Sequence, residues 1–284
     1  MKTKQGVFLI ISACVLLFIS FGCVSNPFGD DEISGGNRKL SGRVQLSDQL
    51  KPQGVYVWLE GLNIGTRTDE NGGFEIIFPP PASQSSGGVS GVFNLLFYMA
   101  NFNLVSKPVS INNGLFVYAQ GEINKSGEFV SPIFLFQSLS IETIMAPSTM
   151  RSDSGGEISA RVFLKASRDS VDVFFPRMVG EFLAPLIFHN LDTDEVFIIQ
   201  CILAGIELSD YLSIYTTPYE RIYLAALSPG ILTVGKYEVI SYLFLANDQV
   251  PEALLKSLGE DIETLGANYL KIPFLRQGGQ FQVN

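Results

Sequence analysis

The chain has 284 residues, 46% of them hydrophobic and 17% charged, with a formal net charge of −9 at pH 7. That acidic balance argues against nucleic acid as a partner, whose phosphates it would repel, and supplies no basic stripe for anionic lipid. High aromatic content with little charge excludes a disordered body, and the length suits two sandwiches better than one small domain.

Residues 1–22 read as an export signal. Lys2 and Lys4 make the positive start, Val7 to Ile19 the apolar stretch, and Ser20-Phe21-Gly22-Cys23 a small-residue cleavage site. Gly22-Cys23 resembles a bacterial lipobox, in which the cysteine becomes the lipidated first residue; Ser20 stands where that pattern usually has Leu. The resemblance implies a diacylglycerol and an amide-linked acyl chain such as palmitate on Cys23, enough for stable attachment without a spanning helix. The alternatives are an ordinary signal peptide with an incidental cysteine, or an uncleaved anchor helix. Val24 after the cysteine, rather than Asp, is compatible by analogy with sorting to the outer membrane of a two-membrane bacterium. Residues 23–37 then form a polar tether containing Gly and Pro. Removing residues 1–22 takes away two lysines and no acid, leaving 17 basic against 28 acidic residues, near −11.

Leu40 to Phe78 alternates apolar and polar residues with a period of two between turn formers, so it reads as strands joined by tight turns. Val44, Val55, Val57, Leu59, Phe74 and Ile76 fall on the core parity of their runs, and Asp69-Glu70-Asn71-Gly72-Gly73 supplies a reversal. Gly42-Arg43-Val44, Pro52-Gln53-Gly54-Val55, Thr68-Asp69, Gly72 and Phe74 resemble the carboxypeptidase regulatory-like (transthyretin-like) domain. That resemblance implies a β-sandwich over residues 38–130. Where the family continues with a Gly-x-Tyr strand, this chain has Pro79-Pro80-Pro81 and a Ser/Gly-rich insert, Ala82 to Gly91, before Phe93, Leu95 and Phe97. Ile76 to Ser106 carries no charge, but Asn94, Asn101 and Asn103 interrupt it, so a buried strand with a loop is expected there rather than a span of ~20 apolar residues.

From Ser131 the pattern starts again. Strands are expected over Ile158–Leu164, Ser170–Phe175, Leu186–Asn190, Val196–Leu203, Arg221–Ala226 and Tyr237–Leu245, which suggests a second, immunoglobulin-like or similar sandwich over residues 131–284. Pro251 to Leu265 breaks the β pattern: Leu254, Leu255, Leu258, Ile262 and Leu265 share one helical face, predicting a late amphipathic helix weakened at Gly259. The expected fold is therefore all-β, two sandwiches with one helix, preceded by a signal helix.

The catalytic inventory is thin. His189 is the lone histidine, so the two histidines and one glutamate of a carboxypeptidase-type zinc site are lacking, and no Gly-x-Ser-x-Gly elbow accompanies it. Cys201 lies in an apolar run and reads as a core residue. With Cys14 in the signal and Cys23 lipidated, no partner remains for a disulfide. Asp69-Glu70-Asn71-Gly72 lacks the glutamate an EF-hand needs at its twelfth position, where Pro80 stands. Asp192, Asp194 and Glu195 offer three carboxylates for a hard cation, against the simpler reading of a solvated turn. Tyr211, Tyr215, Tyr219 and Tyr223 recur every four residues; Thr216-Thr217-Pro218 opposes a continuous helix, and on a strand-turn-strand some of these rings would face outward as a glycan- or peptide-binding surface. The resulting expectation is a non-enzymatic, membrane-anchored envelope lipoprotein without cofactor, presenting its sandwiches to an envelope protein or glycan. The rivals are a glycan- or peptide-binding accessory module and an enzyme with an unfamiliar carboxylate site.

Overall fold

The computed structural model describes residues 37–84, 88–177, 183–205, 210–246 and 249–284. The expected signal, Cys23 and nearly all of the tether lie outside the described residues, as does the middle of the Ser/Gly insert. Residues 37–284 make one compact unit.

Its first half contains β1 (Lys39–Leu46), β2 (Tyr56–Leu59), β3 (Ile64–Arg67), β4 (Gly73–Ile77), β5 (Gly91–Tyr98), β6 (Val105–Asn112), β7 (Leu115–Phe116) and β8 (Ile133–Leu135). β1 lies between β4, antiparallel, and β8, parallel; the facing sheet runs β3-β2-β5-β6-β7. Every residue assigned to the core parity of the first three runs is buried between these sheets, together with Leu95, Phe97 and Val109. The reversal before β4 is fixed locally. Asp69 Oδ1 accepts the N–H groups of Asn71 and Gly73, both at 2.8 Å. Gly72 sits at φ +80°, where a Cβ would strike the carbonyl oxygen of Val44. The carboxylate that suggested a cation loop is thus spent on its own turn. Ser131 to Leu135, read as the start of the second domain, hydrogen-bonds to β1 through Val44↔Ile133 and its neighbours.

The second half contains β9 (Leu139–Ala146), β10 (Thr149–Met150), β11 (Gly156–Ala166), β12 (Ser170–Phe174), β13 (Leu183–Asn190), β14 (Val196–Leu203), β15 (Tyr211–Tyr215), β16 (Tyr219–Leu227), β17 (Gly235–Ser241) and β18 (Phe244–Leu245). Helix α1 (Glu252–Leu258) and the short strands β19 (Gln277–Gly278) and β20 (Gln280–Val283) follow. Nine strands form one sheet in the order β10-β20-β17-β13-β14-β16-β11-β9-β19, and β15-β12-β18 form a small second sheet. The C-terminal segment joins the large sheet at two separate places. Gly279 donates to Thr143 of β9 and accepts from Val239 of β17, each at 2.7 Å, so residues 277–283 bridge strands that stand far apart in the sheet order. Gly278 makes this crossing at φ +72°, where any side chain would collide with the Thr143 carbonyl. Leu139, Val162, Leu186, Phe188, Cys201, Tyr237 and Phe281 pack inside. Cys201 is the expected core residue, and burial pushes its thiol up to about 12.

A third apolar cluster joins the halves. All four residues of β2 are buried: Val57 and Leu59 face the first core, whereas Tyr56 and Trp58, with Leu96 and Tyr98 of β5, pack on Ile187, Ile240 and Tyr242. The β2-β5 sheet is therefore covered on both faces, making a middle layer.

The helix is shorter than its periodicity predicts. Gly259 takes φ 147°, ψ 172° and ends α1 after Leu258. Without a Cβ it can adopt this non-helical backbone, and the expected weak point is a terminus. Leu254 and Ile262 are still buried, so the apolar stripe keeps its inward side although its second half is built from turns.

Candidate functional site

The acidic turn between β13 and β14 orders itself. Asn190 Oδ1 accepts the N–H groups of Asp192 at 2.9 Å and Thr193 at 3.2 Å. Asp192 Oδ2 accepts the Lys236 N–H at 2.9 Å, Asp194 Oδ1 lies 2.7 Å from His189 Nε2, and Glu195 Oε2 accepts from the hydroxyls of Thr193 and Thr233. The three carboxylates share no partner and do not converge, and no metal-holding group of His, Cys, Asp or Glu occurs among the described residues. This arrangement is a turn with satisfied acids, the simpler of the two sequence readings.

The four tyrosines separate into two pairs. β15 and β16 are strands joined across Thr216-Thr217-Pro218, and within a strand residues four apart share a face. Tyr211 and Tyr215 point outward, 66% and 60% exposed. Tyr219 is half-buried and Tyr223 is buried at 2%, its phenol pushed above the usual range chiefly by desolvation. Tyr223 is thus a core residue and drops out of the candidate surface, because its strand turns that parity toward the interior.

Tyr211 does more than project into solvent. Its ring stacks on Phe174 at 4.5 Å and 22°, directly opposite in the β12–β15 register. This pair stands at one side of a cleft of about 500 Å³ whose other walls include Tyr98 at the end of β5, Tyr242 and Phe244 at the β17–β18 step, and Glu263 after α1. The volume lies within the usual range for small-molecule sites. Tyr269 braces the wall from behind: its hydroxyl donates to the Leu243 carbonyl at 2.7 Å, and its ring meets Tyr242 edge-on at 4.9 Å and Phe244 at 5.5 Å. The Tyr242 hydroxyl donates to the backbone carbonyl of Glu263. Burial, then Tyr269 and the Glu263 charge, push the Tyr242 phenol up to about 12 and raise that of Tyr98 further. Both phenols therefore stay neutral near pH 7, with a carboxylate close enough to be felt by each.

No family model and no curated protein matches this chain. Solved structures with some likeness include BcpA, the major pilin subunit of Bacillus cereus, at 10% identity and TM-score 0.26, covering 72% of this chain and 64% of that one. The Bacillus anthracis TIE protein matches at 9% identity and TM-score 0.23 over 84% and 49%. The N-terminal domain of the Streptococcus gordonii adhesin Sgo0707 matches at 9% and 0.21 over 74% and 55%. The chain thus spans less than two-thirds of the length of each. At such similarity no residue role passes from them to this chain.

Sequence reading found Tyr211 but missed Tyr98, Tyr242, Phe244 and Glu263. Their separation along the chain leaves no local spacing to detect. The one usable signal is the uncharged, aromatic character of Phe93–Tyr98 and Tyr242–Phe244, which ordinary core packing explains equally well.

Proposed function

We propose that this protein is a non-enzymatic, lipid-anchored module of a bacterial cell envelope that presents its β-rich body for binding, with the aromatic cleft as its ligand site. The observation that carries this reading is the Phe174–Tyr211 pair at the cleft. An exposed, stacked ring beside a row of buried ones offers ligand a surface that core packing does not require. Anchoring rests on Lys2, Lys4, the apolar stretch and Gly22-Cys23, with outer-membrane sorting resting on Val24. Against a carboxylate enzyme, Asp192 and Asp194 are exposed and engaged with Lys236 and His189 on the neighbouring strands, and neither lines the aromatic cleft.

The anchor is tested by intact mass and membrane fractionation of the wild type and Cys23→Ala in a bacterial host. The wild type is expected in the membrane fraction with an acyl mass increment on Cys23, and the variant is expected to lose both. An unlipidated wild type recovered in soluble form would overturn it.

A second reading places a glycan along β15. Tyr211, Ser213 and Tyr215 alternate outward there, and Ser213 is held by Asp172 at 2.6 Å, giving two rings with a polar group between them. On this reading the double change Tyr211→Ala and Tyr215→Ala lowers soluble-oligosaccharide affinity at least tenfold in titration calorimetry, since stacked rings each contribute on the order of 1 kcal/mol. Unchanged affinity would remove the strand from consideration.

A further inference from the structure

We propose that the cleft accepts a small organic ammonium ion, an alkylated amine whose positive head faces the aromatic walls and Glu263. The inference rests on the reading of this cleft as the ligand site and names the chemical class of its occupant.

Three features select that class. The walls are aromatic or aliphatic: beside the rings of Tyr98, Phe174, Tyr211, Tyr242 and Phe244 stand aliphatic side chains such as Leu245 and Ile272. A neutral apolar ligand would fit such walls, but one formal charge is built into them. Glu263 is exposed, and among the described residues no lysine or arginine forms an ion pair with its carboxylate, although six other lysine– or arginine–carboxylate pairs do form. A cation placed there would lie among aromatic rings with one carboxylate at the wall, and alkylation of the nitrogen lowers the desolvation cost of entry.

Hydrogen-bonding capacity points away from a polyhydroxyl ligand inside the cleft. The Tyr242 proton is committed to the Glu263 carbonyl, so few side-chain polar groups in the walls, chiefly the Tyr98 phenol and one carboxylate, can serve a ligand. A sugar ring would bury hydroxyls that these groups cannot satisfy, whereas an alkylated ammonium brings few or no donors to satisfy. The net charge of −9 adds a long-range preference for cations over anions.

The test uses the full chain in non-ionic detergent, titrated calorimetrically with choline, tetramethylammonium and 3,3-dimethylbutan-1-ol, the last being the neutral isostere of choline. Choline and tetramethylammonium are expected to bind saturably, and the isostere about tenfold more weakly or worse. Glu263→Gln keeps the shape and removes the charge; it should weaken choline roughly three- to tenfold while leaving the isostere unchanged. Tyr211→Leu removes the exposed ring and should weaken both cations. Glu263 and Tyr211 are exposed, so unchanged thermal midpoints would show that both variants fold. Equal affinities for choline and its isostere, or choline affinity indifferent to Glu263→Gln, would overturn the proposal. Oligosaccharide binding without choline binding overturns the ligand class but leaves a binding module intact. An absence of all binding, with a protein that also fails to fractionate with membranes, defeats both readings.

Discussion

Asn101→Ala is expected to destabilise the protein by about 3 kcal/mol or more, a fall of roughly 6–12 °C in thermal midpoint for a body of this size. Asn101 is fully buried, and its side chain ties together three stretches of chain. Nδ2 donates to the carbonyls of Leu139 and Leu275, both at 2.9 Å, and Oδ1 accepts the Leu275 N–H at 3.0 Å. Alanine would leave two carbonyls and one N–H without partners in a place where each costs about 1–3 kcal/mol. Asn101→Asp should be at least as damaging, because it keeps the acceptor but sets a carboxylate against two carbonyl oxygens. Asn103 is the control. Its Oδ1 accepts the Phe136 N–H at 2.6 Å in an exposed setting, so Asn103→Ala should cost about 1 kcal/mol. Differential scanning calorimetry separates the two, and equal small shifts would refute the role given to Asn101.

Those asparagines mark how far the sequence could be read. Against a membrane span in the uncharged run they counted simply as polar interruptions. In the structure Asn94 donates to Glu60 at 2.8 Å from an exposed strand position, while Asn101 and Asn103 fasten the β5–β6 connection to later segments. Polarity was visible in the sequence; the partners, far away along the chain, were not. The same division applies to the strands. Val55, Val57 and Leu59 declared one core face by period two, but Tyr56 and Trp58 on the alternate parity looked equally apolar, and nothing local says that a second layer covers them. Gly259 was legible as a weak point in a helix, yet whether a glycine bends or ends a helix depends on what the following residues pack against. Residues 277–283 carry the faintest signal of all. Gln277-Gly278-Gly279-Gln280 looks like a loose terminus, and its role in bridging β9 and β17 comes from a carbonyl of Thr143 and an N–H of Val239, supplied by distant strands. The cleft suffers from the same limit, since its walls come from β5, β12, β15, the β17–β18 step and the segment after α1.

The layered packing leads to a second large effect. Phe188→Ala should cost about 3–5 kcal/mol, because the ring is fully buried and leaves a cavity between Tyr237 at 6.3 Å and Phe281 at 5.7 Å. Phe134→Ala deletes the same group from a site 52% exposed and should stay within about 0.5 kcal/mol of wild type. The sharper question is which parts of the protein feel the loss. Phe188 points into the second-half core, while the adjacent Ile187 points into the cluster shared with Tyr56 and Trp58. Trp58, the lone tryptophan and 2% exposed, therefore reports on the junction between the halves, whereas far-UV circular dichroism reports on all sheets. If the shared cluster couples the two cores, urea midpoints from both probes should fall together in Phe188→Ala, with the slope unchanged. A circular-dichroism transition that splits while tryptophan fluorescence keeps its wild-type midpoint would show the β1–β8 half standing without its neighbour. The contact through Trp58 would then be a docking surface between independent domains rather than part of one cooperative core.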